Sequence, residues 1–319
     1  MSKEPQEVVA SDFLTDVLRG LRAPNKQLSS KYFYDAKGDQ LFQRIMHLNE
    51  YYLTYKELEI FKSKKTEILS MIYDGEPFRI IELGAGDGLK TKILLKYFQD
   101  SGVDFTYSPV DISSNVLEIL EANLVNEIPG LKVEPFQGDY FDALSDISTR
   151  EEKDVVFFLG SNVGNFVKGE AEAFLSKLNS FLNPKDLLFM GVDLKKDPSI
   201  ILSAYNDHEG VTKDFNLNLL ERINTELGGN FQKEQFQHYP YYNPQTGECR
   251  SYIISRIDQT VTVAGEQFEF RAWESIFMEV SKKYDEVQLD ELAKSSGFQE
   301  LVKFKDAQGW FADVLWEVQ

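Results

Sequence analysis

The sequence is short of several groups that many folds and functions require. Cysteine occurs once, at Cys249, among 319 residues, so no intramolecular disulfide can form. Histidine occurs three times, at His47, His208 and His238, without the spacing of zinc ligands, so no metal site is expected. Basic residues are outnumbered, 34 Lys and Arg against 52 Asp and Glu, and the net charge of −18 argues against a nucleic-acid partner, which needs basic patches to meet phosphates. No apolar run is long enough to cross a bilayer, and the polar stretch Met1–Glu7 has no apolar signal core. No internal repeat or low-complexity segment is present. These absences lead to the expectation of a monomeric, cytoplasmic protein with neither membrane nor nucleic-acid partners.

Apolar and aromatic residues are what the chain has in quantity. Hydrophobic residues make up 42%, with 24 Phe and 15 Tyr, enough for a sizeable core in one large domain or two modest ones. The stretch 79–95 organises the rest. Ile80–Leu83 is apolar and short enough to be a buried strand. Gly84, Gly86 and Gly88 form a turn with little side-chain bulk, and a helix begins near Leu89. Strand, glycine turn and helix build a ligand site at the carboxyl end of a strand. The dinucleotide fingerprint fits poorly, because its third glycine falls on Leu89. Glu82, just before the turn, can face a positively charged ligand, which leans toward S-adenosylmethionine over a nicotinamide cofactor.

From Lys56 onward, strands and helices alternate. Strands are expected at Arg79–Leu83, Phe105–Val110, Lys132–Gln137, Asp154–Leu159 and Asp186–Val192, and helices at Glu57–Ile72, Asn115–Val125 and Gly169–Leu182. Such alternation makes a parallel sheet covered on both faces. The pattern stops after Asp193 and resumes with a helix at Leu289–Ser295 and strands at Gln299–Lys305 and Trp310–Val318, two strands joined without a helix. The segments outside this rhythm hold helices at Asp12–Arg22, Gln40–Leu48 and Val211–Leu227, the aromatic cluster Tyr239–Tyr242, and alternating strands at Arg250–Ile257 and Thr260–Phe270. Two domains follow: 57–194 plus 284–319, which carries the cofactor site, and a discontinuous α+β substrate domain of 1–56 plus 195–283.

Asp111 ends the second strand and can accept hydrogen bonds from both ribose hydroxyls. Asp139 ends the third and can meet an adenine amino group, with Tyr140 offering ring contact. The strand ends of a parallel sheet face one crevice, so the three signals converge on a nucleoside-containing cofactor. Five parallel strands, a helix and two antiparallel strands is how the seven-stranded, Rossmann-like sheet of class I methyltransferases closes. S-adenosylmethionine therefore leads and NAD is the runner-up.

Several segments then resemble the histidine-specific methyltransferase family, whose best-known member trimethylates the α-amino group of histidine in ergothioneine biosynthesis. They are Tyr32-Phe33-Tyr34-Asp35 through Gly38 with Leu41-Phe42; Glu50-Tyr51-Tyr52; Glu82-Leu83-Gly84 with Lys90-Thr91; Phe158-Leu159-Gly160-Ser161 with Gly164-Asn165; Ala204-Tyr205-Asn206-Asp207 with Gly210-Val211-Thr212; Phe215-Asn216 with Asn218; and Glu279-Val280-Ser281. The resemblance implies S-adenosylmethionine as donor, S-adenosylhomocysteine as product, and a cofactor site holding Glu82, Gly84, Gly86, Lys90, Asp111, Asp139 and Tyr140. It implies that Tyr51, Asn165 and Tyr205 hold the carboxylate and amine of a free amino acid, that Glu279 and Ser281 read the imidazole, that Tyr34 and Phe42 line the pocket, and that Gly160 makes a backbone contact. Tyr34 and Tyr51 are the candidates for assisting proton loss from the amine. The sequence departs from the family at Asn49 and Leu53, where prolines commonly flank Glu-Tyr-Tyr, at Tyr55, usually arginine, and at Ala85-Gly86-Asp87-Gly88 in the cofactor loop. The alternatives are a methyltransferase of this fold acting on another amino acid or small amine, and a non-catalytic S-adenosylmethionine-binding protein.

Overall fold

Phe78–Leu83 is buried at every position, and so is Leu187–Asp193, because each strand lies inside a sheet covered on both faces. The structure, a computed structural model, describes residues 5–147, 152–167 and 169–319. The first four residues, part of the polar N-terminal stretch and of the segment expected at 1–56, lie outside the described residues. In chain order the elements are α1 (Pro5–Arg22), α2 (Ala36–Met46), α3 (Tyr52–Ile72), β1 (Phe78–Leu83), α4 (Thr91–Asp100), β2 (Phe105–Asp111), α5 (Ser114–Glu127), β3 (Lys132–Val133), β4 (Phe136–Gln137), α6 (Tyr140–Ile147), β5 (Lys153–Phe158), α7 (Glu170–Asn179), β6 (Leu187–Asp193), α8 (Pro198–Tyr205), α9 (Val211–Leu227), β7 (Phe236–Asn243), β8 (Glu248–Ser255), β9 (Gln259–Val263), β10 (Glu266–Phe270), β11 (Ser275–Lys282), α10 (Glu286–Ser295), β12 (Phe298–Lys305) and β13 (Phe311–Val318). They fall into two compact units, one of Met1–Tyr52 with Lys196–Ser281 and the other of Leu53–Lys195 with Lys282–Gln319.

The second unit is built on a sheet of order β12-β13-β6-β5-β1-β2-β3, with β4 continuing the edge against β2. Pairs β1–β2, β1–β5, β5–β6 and β2–β3 are parallel, while β13 is antiparallel to both β6 and β12. This is the class I methyltransferase order and closure. The edge strand expected as one piece at Lys132–Gln137 is two, because Pro135 has no N–H for the ladder. Arg79 and Asp154, paired across β1 and β5, form a buried ion pair through Nε at 2.9 Å and Nη2 at 2.7 Å. Burial pushes the Asp154 carboxyl up to about 6 even though Arg79 opposes the shift.

The first unit packs α9 against a three-stranded sheet, β11-β8-β7, and the hairpin β9–β10. Val211, Phe215, Leu219, Leu220 and Ile223 bury one stripe of α9 against Ile253, Val261, Phe268 and Met278. Asp207 caps the helix by accepting from the Val211 and Thr212 N–H groups at 2.8 Å each, and Gly228, at φ 63°, ends it. Asp35 caps α2 through the Gly38 N–H and also accepts from Asn218 of α9 at 2.8 Å, which ties the two helices. The strand expected over Thr260–Phe270 is a hairpin; Ala264 and Gly265 turn it at φ 49° and 82°. Tyr239–Tyr242 lies in β7, with Tyr239 and Tyr241 exposed on its outer face. Helices α6 and α8 had no sequence expectation. Among the described residues no helix is long and apolar enough to cross a membrane, and no cluster of three His, Cys, Asp or Glu side chains could hold a metal ion.

Candidate active site

Each glycine of the loop after β1 has positive φ, 72° at Gly84, 54° at Gly86 and 63° at Gly88, a conformation that strains other residues. The Gly84 N–H donates to the Val110 carbonyl at 2.9 Å, so the loop turns beside the end of β2. A Cβ on Gly84 would lie 2.8 Å from the Tyr140 hydroxyl. Gly84, Asp111, Ile112, Asp139 and Tyr140 line a cleft. Asp111 Oδ1 accepts from the Ser113 N–H at 3.0 Å and Asp139 Oδ1 from the Phe141 N–H at 2.9 Å. Each carboxylate is thereby anchored by one oxygen, and the second makes no hydrogen bond among the described residues. Burial, and then the charges of Asp111 and Asp139, push the Tyr140 hydroxyl up to about 12, so it stays a donor.

Ile112 escaped the sequence reading. It is 78% exposed at the cleft wall, and an exposed isoleucine directly after a strand-end acid was the available signal. Gly86 shapes the loop without lining the cleft. Glu82 differs from expectation. It is 4% exposed and is not on the cleft wall; one oxygen accepts from Thr91 Oγ1 and the other from the Tyr107 hydroxyl, both at 2.6 Å. Its acceptors are engaged inside the fold, tying the end of β1 to the start of α4 and to β2. Burial raises its carboxyl to about 7 against the pull of those two donors. Lys90 closes the loop and pairs with Glu57 of α3. Gly160 follows β5 at φ 76°, and exposed Asn165 ends the short helical turn Asn162–Asn165.

In the first unit, β11 alternates. Ile276, Met278 and Val280 face the core, and Glu279 and Ser281 share the opposite side. That side is not an ordinary solvated face. Ser281 is 6% exposed and accepts from the hydroxyl of Tyr205, 8% exposed, at 2.8 Å. The Asn216 amide, fully buried, donates to the Thr212 carbonyl at 3.1 Å and lies 3.5 Å from Glu279 Oε1. Tyr34, Phe42 and Phe215 meet edge to face or tilted, with ring centroids 5.6–5.8 Å apart, and Tyr51 packs on Phe42 at 6.4 Å. Phe215, absent from the expected lining, is central to this cluster. The structure thus brings Gly84, Asp111, Asp139 and Tyr140 together at a strand-end cleft in the second unit, and in the first it pairs Ser281 with Tyr205 next to Glu279 on β11 and clusters Tyr34, Phe42 and Tyr51; Glu82, Gly86, Lys90, Gly160 and Asn165 join none of these groups.

A family profile described as histidine-specific methyltransferase, SAM-dependent, matches residues 13–318. Histidine N-alpha-methyltransferase of Mycolicibacterium smegmatis is 35% identical over 84% of this chain and 83% of that protein. The protein of the same description from Mycobacterium tuberculosis is 34% identical over the same shares. Ergothioneine biosynthesis protein 1 of Neurospora crassa is 32% identical over 88% of this chain, which spans 35% of that protein.

Proposed function

Because the chain belongs to the histidine-specific, S-adenosylmethionine-dependent methyltransferase family, we propose that it methylates the α-amino nitrogen of free L-histidine, up to the trimethylated product, and releases S-adenosylhomocysteine. The observation that carries this reading is the Glu279–Ser281 pair. A neutral imidazole presents one N–H donor and one acceptor nitrogen, and a carboxylate with a neighbouring hydroxyl complements both. Tyr205 holds Ser281 and Asn216 lies against Glu279, so the pair is oriented before a ligand arrives. A side chain lacking either ring nitrogen would complement only one of the two groups.

The cleft of the second unit fits the donor. Two anchored carboxylates suit a ribose diol and an adenine amino group, exposed Ile112 offers an apolar contact to a base, and a side chain at Gly84 would intrude on Tyr140. Bound there, the donor supplies a methyl group on a sulfonium. The amine lone pair forms the new N–C bond as the S–C bond breaks and its electron pair stays on sulfur. The chain's work is alignment, together with keeping the amine neutral. Tyr34 and Tyr51, beside Phe42, are assigned to pass the ammonium proton to water. A Tyr34→Phe rate profile identical to wild type across pH would remove Tyr34 from that role. The function itself is tested by mass spectrometry of a mixture of amino acids incubated with methyl-labelled S-adenosylmethionine. Histidine labelled on its α-nitrogen is expected; no labelled amino acid would refute the proposal.

A further inference from the structure

Glu57, in the second turn of α3, is fully buried. Its Oε1 accepts the backbone N–H of Gly160 at 2.8 Å, and its Oε2 receives the Lys90 ammonium. Gly160 begins the loop after β5, and Lys90 ends the glycine loop after β1. A Cβ on Gly160 would come 3.3 Å from Lys90 Nζ, so the two loops meet at this one carboxylate. Room for it is made by Gly191 in β6, where a Cβ would overlap Glu57 Oε1.

A second carboxyl, Asp313 of β13, is fully buried beside the pair, and neither of its oxygens meets a donor among the described residues. Burial, and then the charge of Glu57, push it well above the ordinary carboxylate range. This favours the neutral acid at Asp313 beside the Glu57 charge. The cluster then holds one cation, one anion and one neutral acid, which is the charge balance a dry site tolerates.

We propose that Glu57 is a positioning residue for the donor site, its two oxygens fixing the glycine loop through Lys90 and the following strand-end loop through Gly160. This rests on the reading that the cleft holds S-adenosylmethionine. Burial of an ion pair alone would not single Glu57 out, since Arg79–Asp154 is buried more completely. That pair joins the opposite ends of β1 and β5, at Arg79↔Asp154, whereas Glu57 joins the segments that follow their carboxyl ends.

The test is Glu57→Gln, which keeps the shape and removes the charge, alongside Gly191→Ala, which displaces the carboxylate without neutralising it. S-adenosylhomocysteine binding by calorimetry should weaken about tenfold or more in both, the scale of losing a charged hydrogen bond. KM for S-adenosylmethionine should rise in step and by more than KM for histidine, a split that general loosening would not produce. Either folded variant binding S-adenosylhomocysteine like wild type overturns the proposal. So does loss of the folded state in both variants, because the cluster then serves the fold alone. Wild-type protein that binds no S-adenosylhomocysteine overturns the donor-site reading itself, and the two failures are thereby told apart.

Discussion

Replacing Glu82 by glutamine should flatten part of the protein's stability profile against pH. The carboxyl is buried, and in the folded protein its pKa rises from the ordinary 4.5 to about 7. A group with a raised folded pKa contributes stability that is fully present below its unfolded value and lost as pH climbs through the folded one. Here the window runs from 4.5 to about 7. Each pH unit in it is worth about 1.4 kcal/mol, so ionising Glu82 costs roughly 3 kcal/mol by pH 8. Glutamine is neutral throughout, retains one acceptor, and presents an amide donor to whichever of Thr91 or Tyr107 rotates to accept it. Rotation and imperfect geometry should cost about 1 kcal/mol. At pH 5 the variant should therefore be level with wild type or slightly less stable, and at pH 8 about 2 kcal/mol more stable. Urea titrations followed by circular dichroism at half-unit steps of pH measure this directly. The informative quantity is the difference between the two proteins, because Asp154, Asp313 and His238 titrate equally in both. A constant difference from pH 5 to pH 8 would refute the reasoning and mean that Glu82 is ionised over the whole range.

Other outcomes follow from the same geometry. His238 is buried, and burial depresses its pKa to about 4 from 6.5; its stabilising share is present above 6.5 and lost as pH falls to about 4, so His238→Leu should remove up to about 3 kcal/mol of acid destabilisation in urea titrations across that window. Arg79→Met leaves Asp154 buried without its partner and should destabilise by about 3 kcal/mol at pH 8, with a smaller loss at pH 5 where the carboxyl protonates, read as thermal midpoints at both pH values. Tyr205→Phe removes the donor that orients Ser281 and should raise KM for histidine about tenfold with KM for S-adenosylmethionine unchanged, measured by steady-state kinetics. Gly84→Ala places a Cβ 2.8 Å from the Tyr140 hydroxyl at a φ that strains alanine, and should weaken S-adenosylhomocysteine binding by calorimetry while leaving the spectrum of the folded protein intact.

The sheet was legible in the sequence because its physics is local. Strands buried on both faces read as apolar runs, and the acids at Asp111 and Asp139 mark where two of them end. Helix α9 was read to the residue, Val211–Leu227, because Gly210 and Gly228 punctuate it. Features that depend on contacts between distant segments were not legible. Nothing near Glu82 in sequence announces that Thr91 and Tyr107 occupy its oxygens, and nothing near Glu57 announces Gly160, Lys90 or Gly191. The β9–β10 hairpin was missed because Ala264 occupies a left-handed position usually given to Asn, Asp or Gly. Helix α8 did carry a signal, Asp197 capping Ser199 with Pro198 in the first turn, which a search for apolar periodicity passes over.

The strand order has a consequence for biosynthesis. β13 lies between β6 and β12, yet it is translated after both. Until Phe311–Val318 leaves the ribosome, the largely apolar Leu187–Asp193 strand presents an unpaired edge to whatever is near. The whole of Lys196–Ser281 is made during that interval. The nascent chain therefore passes through a stage in which one sheet waits open while another unit is assembled from an insertion. A cell making this protein would meet its aggregation risk at that stage, and chaperone demand should fall sharply once the last strand is threaded into place.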